Sequence, residues 1–273
     1  MRMLGDDLEV VDGAAAGAWI EPGLGGEFGA VSRQVPKGFD AFARIFHRVQ
    51  DAEGAFVTWA EAARRLGRTA HRGMQWHQIV GSSDSDSFTG SDWPGGRPEL
   101  GEMEIEELDR LCKVLAGLTA DPEECFFGLC VINHGWILDT LSADQARRPQ
   151  LELPWGRDHL VIKGPLQAID QIGAVDPPGV VRFVAVEPGE AEPLSPDAED
   201  PWWREAPSLI WPADRSWFVV NEVDFDSTLV GGSRELVDAL IAAPDLEVYE
   251  VEPDTSLAAF SDKLNPVLEP EQG

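Results

Sequence analysis

Three acidic side chains at alternate positions, Glu222, Asp224 and Asp226, are the residues of this sequence best suited to bind a charged partner. The run from Trp217 to Phe225 is rich in β-branched and aromatic residues, which predicts a strand, and Ser227, Thr228 and the Gly231-Gly232 pair predict a turn after it. Because side chains alternate across a strand, the spacing predicts that the three carboxylates lie together on one face. Such a face would attract a basic partner, and if covered it would need arginine or a divalent metal ion to neutralise it.

The predicted binding site joins this acidic face to aromatic and charged side chains that come just before it in the sequence. Tryptophan supplies a large contact area with a hydrogen-bond donor, and arginine places a cation beside the acids. A solvated strand face without any ligand is the simpler interpretation of the same pattern. We predict no catalytic residue, no metal ligand and no cofactor, and a binding site made of Trp211, Asp214, Arg215, Trp217, Glu222, Asp224 and Asp226.

The net charge narrows the classes of partner. With 49 acidic and 21 basic residues, the chain carries a formal charge of −28, which repels nucleic-acid backbones and anionic lipid surfaces. We therefore predict no nucleic-acid partner and no membrane partner, and a basic protein as the partner that the charge favours. A need for solubility, without any dedicated partner, would explain the same charge.

Cysteine usage and the N-terminal residues predict a location. Three cysteines, Cys112, Cys125 and Cys130, are an odd number in a chain long enough to fold without disulfides, which suits reduced thiols. Acidic residues interrupt the N-terminal stretch where a signal peptide would need an apolar segment, and no apolar run approaches the ~20 residues that span a bilayer. We expect a cytoplasmic protein.

Several patterns that would indicate a known chemistry are incomplete. The glycine-rich run at 23–29 has Phe28 where a dinucleotide-binding loop needs its third glycine. Cys125, Cys130 and His134 lack the paired spacing of a zinc site. These departures argue against a nucleotide loop and a structural zinc site.

Hydrophobic periodicity predicts the elements that must position the acidic residues. A capping box at Thr58 begins one helix, an amphipathic pattern at 102–118 predicts another, and Ser233 can cap a third. Neighbouring strands without a regular βαβ repeat predict an α+β fold, with a mostly antiparallel sheet of about six strands and three or four helices packed on it. The predicted strands lie at 39–49, 125–132, 159–163, 180–186, 217–225 and 246–251.

Composition also suggests how the chain is divided. Residues 1–35 form a Gly/Ala-rich N-terminal segment, and 36–260 are expected to form a single α+β domain. Within it, residues 187–200 carry six acidic residues, three prolines and no basic residue, which predicts a mobile acidic loop. The tail at 261–273 is expected to be disordered.

Two resemblances bear on function. The block from Trp211 to Ser233, with FARIFHRV and WAEAARRLG earlier in the chain, resembles a family of actinobacterial proteins of unknown function and covers about half the chain. It carries no site residues. The arrangement of the last strand and helix, together with the acidity, is similar to the SMI1/KNR4-type immunity-protein superfamily, which implies a protein partner.

A third resemblance implies a catalytic alternative. The DFDST sequence at 224–228 is similar to the first motif of haloacid-dehalogenase-type phosphatases, which would make Asp224 the nucleophile, Asp226 the general acid and magnesium the cofactor. The sequence departs from that family because Asn221 and Glu222 interrupt the apolar strand before the motif. The chain after the motif is also too short for the rest of the family's site.

The favoured hypothesis is a non-enzymatic cytoplasmic binding module that recognises a protein partner through its acidic face, with an immunity-like role as the form that the resemblance implies. One alternative is a metal-dependent, phosphatase-like hydrolase that uses Asp224 and Asp226. The other is a small-molecule sensor with a tryptophan-lined pocket.

Overall fold

The computed structural model describes the chain in several stretches, with short gaps between them. These are residues 7–85, 91–132, 137–138, 141–175, 183–187, 190–193, 202–204 and 206–267. The helices are α1 (Gly13–Ala16), α2 (Ile20–Gly23), α3 (Val31–Gln34), α4 (Trp59–Arg65), α5 (Trp76–Ile79), α6 (Ile105–Gly117) and α7 (Arg234–Ala242). The first strands are β1 (Glu9–Val10), β2 (Ala41–Phe46), β3 (Val49–Gln50), β4 (Phe56–Val57), β5 (Cys125–Cys130), β6 (Leu151–Leu153), β7 (Arg157–Gly164) and β8 (Gly173–Val175). The remaining strands are β9 (Phe183–Glu187), β10 (Glu190–Pro193), β11 (Trp202–Arg204), β12 (Leu209–Pro212), β13 (Phe218–Val220), β14 (Ser227–Gly232) and β15 (Glu247–Val251).

One antiparallel sheet organises the part of the chain that the structure describes. Its strands run in the order β1-β7-β5-β12-β13-β14-β2-β15, and β6 extends it by pairing with β7. This confirms an α+β fold with an antiparallel sheet. The predicted counts are wrong, because the described residues hold nine strands in this sheet alone and seven α-helices in all. Four of those helices are only four residues long, which is too short for a helical period to show in the sequence.

Helices α6 and α7 cover one face of the sheet. Leu108, Leu111 and Leu115 lie at helical spacing on α6 and are buried against the sheet, as the amphipathic pattern predicts. Leu236 and Leu240 do the same on α7, which begins where the Ser233 hydroxyl accepts a hydrogen bond from the Leu236 amide. This layer forms the larger hydrophobic core.

The N-terminal segment covers the opposite face. Ile20 on α2 and Val31 on α3 are fully buried beside Phe42 of β2, whose side chain alternates with those that face α6 and α7. The N-terminal segment therefore contributes buried side chains to the core, although glycine and alanine dominate its composition.

A third apolar cluster surrounds α4 and α5. The Thr58 hydroxyl accepts a hydrogen bond from the Glu61 amide at 3.1 Å, so α4 begins at the predicted capping box. The rings of Trp59 and Trp76 lie 5.2 Å apart, and Phe46 at the end of β2 packs against Trp59. This cluster fixes one end of β2 and the residues that follow it.

The prediction of one strand from 217 to 225 is wrong. Only Phe218–Val220 is extended, and residues 221–226 form the connection to β14, where the Phe225 amide donates to the Glu222 carbonyl at 2.9 Å. Residues 227–232, predicted to turn, form the fully buried strand β14. A Cβ atom on Gly231 would lie 2.5 Å from the Phe39 ring, so this glycine permits close packing rather than a turn.

The C-terminal residues 261–267 also differ from the prediction of a disordered tail. The Gln78 side-chain amide donates to the carbonyls of Asp262 at 2.8 Å and Asn265 at 3.0 Å. Asn265 in turn bonds both the amide and the carbonyl of Thr69. Short polar side chains therefore hold a segment whose composition alone looks disordered, while residues 268–273 lie outside the described part of the chain.

Two other expectations concern the middle of the chain. Of the predicted acidic loop at 187–200, the structure describes Glu187 in β9 and the strand β10, which pair antiparallel, and the rest lies outside the described residues. His134 lies outside them as well. Among the described helices, none is both long and apolar enough to cross a membrane.

Candidate functional site

A cleft of about 630 Å³ gathers the three predicted acidic residues beside side chains from distant parts of the sequence. The 221–226 connection forms one wall, α3 and the loop before it form a second, and the turn between β6 and β7 forms a third. The lining residues that matter below are Arg33, Gln34, Trp155, Arg157, Glu222, Asp224 and Asp226.

Arg157, at the start of β7, pairs with two of the acids. Its Nη2 lies 2.6 Å from Asp224 Oδ2, and its Nε lies 3.4 Å from Glu222 Oε1. The two carboxylates differ in exposure, since the side chain of Glu222 is 8% exposed and that of Asp224 is 72% exposed. Burial raises the pKa of Glu222, and the Arg157 charge opposes that rise.

Asp226 has a different partner. Its Oδ1 lies 3.3 Å from Nη2 of Arg44, which is buried on β2. The Arg44 guanidinium also donates to the Ser227 hydroxyl at 2.8 Å and the Met74 carbonyl at 2.9 Å. Burial raises the pKa of Asp226 and the Arg44 charge opposes that rise, while the Asp226 side chain is 19% exposed where it lines the cleft.

These contacts overturn the idea of one shared acidic face. Glu222 and Asp224 share Arg157, while Asp226 pairs with Arg44, and the segment that carries them is a turn. Because a turn does not alternate its side chains as a strand does, the spacing was a poor guide to their orientation. The three acids share a cleft, however, and that part of the expected grouping survives.

The other four predicted residues lie elsewhere. Trp211 is buried in the core and stacks on Phe126, with ring centroids 5.4 Å apart. Trp217 is also buried, and its indole Nε1 donates to Thr119 Oγ1 at 2.9 Å. Asp214 and Arg215 lie in the exposed turn between β12 and β13, at the end of β13 remote from the 221–226 connection.

The structure adds cleft residues that the sequence reasoning missed. The Gln34 side chain, on a residue only 7% exposed, and the Trp155 indole both line the cleft. Neither Gln34 Oε1 nor Trp155 Nε1 has a hydrogen-bond partner in the part of the chain that the structure describes. The Pro-Trp-Gly sequence before Arg157 is a usable signal, because Gly156 has a φ of +79° that suits a tight hairpin turn. No local sequence pattern indicates that Gln34 belongs to the site.

Apolar side chains surround the mouth of the cleft. Phe28 is 91% exposed and Leu100 is also exposed, and both line the cleft. Phe260 is partly exposed, and its ring lies 4.7 Å from that of His77 on the lining. Charged groups inside the cleft and apolar groups at its rim form a site with both polar and hydrophobic contacts.

The structure shows no arrangement typical of metal or thiol chemistry in the residues it describes. No group of three or more histidine, cysteine or acidic side chains is placed to hold a metal ion there. The three cysteines are buried and form no disulfide among the described residues, and burial raises the pKa values of Cys112 and Cys125 to about 12. Neither of these two thiols therefore supplies a thiolate near neutral pH.

No family model, curated protein or solved structure matches this chain. The resemblances to an actinobacterial family, to immunity proteins and to phosphatases therefore stay predictions.

Proposed function

We propose that this protein is a binding protein whose cleft holds a small polar organic molecule. The observation that carries the proposal is that two residues lining the cleft, Gln34 and Trp155, each hold a buried side-chain polar atom, Oε1 and Nε1, without a partner among the described residues. A buried polar group without a hydrogen bond costs about 1–3 kcal/mol. A ligand with a donor and an acceptor would remove that cost once the two side chains turn toward it.

The size and lining of the cleft support the same function. Its volume of about 630 Å³ lies within the ~300–1,000 Å³ typical of small-molecule sites. Trp155 and Phe225 offer aromatic surface, while Arg157 and Gln75 offer fixed polar groups. This combination gives a ligand apolar contact area together with a few directed hydrogen bonds, and corresponds to the sensor alternative with a tryptophan at the pocket.

A basic protein partner is the second candidate. The exposed Phe28 ring at the rim favours it, because a large isolated aromatic side chain is a common anchor in protein interfaces, and the net charge of −28 would attract a basic surface. Replacing Phe28 with serine should weaken such binding, and added salt should weaken it further. Retention of a partner by Phe28→Ser would remove this support.

The phosphatase-like alternative has less support. Asp224 and Asp226 both reach the cleft, but they pair with different arginines and do not converge on one point. Calorimetric titration with magnesium would detect a metal site directly, and stoichiometric uptake lost in Asp224→Asn would revive this alternative.

A thermal-shift screen tests the proposed function. We expect members of a panel of polar metabolites, including sugars, nucleosides and amino acids, to raise the Tm of the wild-type protein. Trp155→Phe should reduce that shift, because it removes the indole donor from the cleft. Trp19→Phe is the matched control, since Trp19 also has a buried Nε1 without a partner among the described residues but does not line the cleft. A panel without effect, or equal shifts in both variants, would contradict the proposal.

A further inference from the structure

We propose that the ligand of the cleft is a zwitterion, with its anionic group bound by Arg33 and its cationic group bound by Asp224 and Glu222. This inference rests on the proposed function and specifies its ligand class. It follows from where the charges of the cleft are paired and where they are not.

Arg33 is a partly buried cation without an ion pair in the described residues. It lies at the end of α3, lines the cleft and is followed by the buried Gln34. Many other arginines of this acidic chain are paired with a carboxylate: Arg44, Arg48, Arg64, Arg65, Arg72, Arg110, Arg147, Arg157 and Arg234. A guanidinium left unpaired in a cleft is suited to a carboxylate or phosphate, which it can bind through two parallel hydrogen bonds.

The 221–226 wall offers the opposite charge. Arg157 is shared between Glu222 and Asp224, so one negative charge remains after they are paired. Asp224 is the more exposed of the two and is the group that an incoming ammonium ion meets first. Asp226 contributes no net charge because Arg44 neutralises it.

The charge balance of the cleft argues against ligands that carry a single charge. Arg33 and Asp224 both line the cleft but make no ion pair with each other, so they can be satisfied separately. A purely anionic molecule would meet the repulsion of a protein with a net charge of −28 and leave the excess negative charge of Glu222 and Asp224 uncompensated. A purely cationic one would leave Arg33 without a counter-ion. A molecule that carries a positive and a negative group on separate atoms can pair with Arg33 and with the Glu222–Asp224 pair at the same time.

Matched compounds of equal length provide the test. We would titrate the full-length protein by calorimetry with 6-aminohexanoate, hexylamine and hexanoate, and with glycine and 4-aminobutanoate to vary the span between charges. At least one zwitterion should bind about tenfold or more tightly than either singly charged compound, the loss of one partly buried ion pair being of that order. Equal affinity of hexylamine and the best zwitterion would overturn the inference.

Charge-neutral variants assign each end. Arg33→Gln should remove the advantage of the zwitterion over hexylamine, and Asp224→Asn should remove its advantage over hexanoate. Lys113→Gln removes one exposed positive charge from α6, on the other side of the sheet, and should change neither ratio. Unchanged ratios in Arg33→Gln and Asp224→Asn would overturn the inference.

The outcome also separates this inference from the proposed function. If a neutral sugar or nucleoside binds in a manner that depends on Trp155 and no zwitterion binds, the ligand class is wrong while the cleft remains a binding site. If no compound of either set binds, both are contradicted.

Discussion

Replacing Glu107 with glutamine should stabilise the protein, and the gain should grow with pH. Glu107 lies in the first turn of α6 with no exposed surface, and burial raises its pKa to about 7 from an ordinary value of 4.5. Arg48 is adjacent, but its Nε lies 3.5 Å from Glu107 Oε1, and neither atom has a hydrogen-bond partner among the described residues. The ion pair is therefore too long to offset the loss of hydration.

The sign and size of the effect follow from proton linkage. Below pH 4.5 the carboxyl is protonated in both states and Glu107→Gln should change little. Between pH 4.5 and 7 the unfolded chain ionises first, so the folded wild-type protein loses stability as the pH rises. At about 1.4 kcal/mol for each pKa unit, the loss reaches roughly 3 kcal/mol above pH 7. Glutamine has no ionisable carboxyl, so the Glu107→Gln variant avoids this loss of stability.

Urea denaturation at pH 5, 6, 7 and 8 measures this difference. Glu106→Gln is the matched control, because Glu106 pairs with the same Arg48 at 3.8 Å but its side chain is 68% exposed. That variant should differ from the wild type by less than about 1 kcal/mol at every pH. A Glu107→Gln variant that is less stable than the wild type at pH 8 would refute the reasoning, since it would mean that the Arg48 pair outweighs burial.

Three further predictions concern contacts elsewhere in the fold. Arg44→Met should lower the free energy of unfolding by about 3–5 kcal/mol because it leaves Asp226 without its cation, and the double variant with Asp226→Asn should recover part of that loss in urea denaturation. Asn265→Ala should cost about 1–3 kcal/mol by the same measurement, because two part-buried hydrogen bonds to the backbone of Thr69 are lost, and an unchanged stability would contradict the packed tail. Cys112 and Cys125 should resist alkylation by iodoacetamide at pH 8 in the folded protein and react after unfolding, and rapid reaction when folded would contradict their burial.

Long, strongly periodic segments were predictable from the sequence. The alternation in β2, the capping box at Thr58 and the amphipathic spacing of α6 each describe a pattern that tertiary contacts reinforce. These segments define the sheet and its helical layer. The short helices at the N-terminus were not predictable, because Ile20 and Val31 become core residues only through the sheet face that covers them.

The turn at 221–226 was missed because Val223 and Phe225 alternate with acidic residues, which imitates the period of a strand. β-Branched and aromatic residues favour a pleated, half-buried surface, but they do not indicate where one strand of a hairpin ends and the next begins. Gly231 was read as part of a turn, although it serves the close approach of Phe39. The sequence therefore identified the three acidic residues of the site, Glu222, Asp224 and Asp226, but not the turn that carries them.

The rest of the site could not be found from local patterns. Gln34, Trp155 and Asp226 are separated by about seventy to two hundred residues along the chain and meet only when β7, β14 and the N-terminal segment assemble. Arg44 is similar, since nothing near it in sequence indicates a carboxylate partner. Long-range pairing of this kind depends on the order of strands, which the sequence pattern did not specify.

A small molecule is proposed to bind at the Trp155 wall of the cleft. The indole signal of Trp155 in a ¹H–¹⁵N spectrum tests this binding most directly. Trp155→Phe identifies that signal by its absence, and the Trp217 indole, already bonded to Thr119 Oγ1 at 2.9 Å, serves as an internal reference. On addition of the compound that raises the Tm most, the Trp155 signal should move while the Trp217 signal stays in place. A Trp155 signal that does not move when that compound binds would contradict the claim.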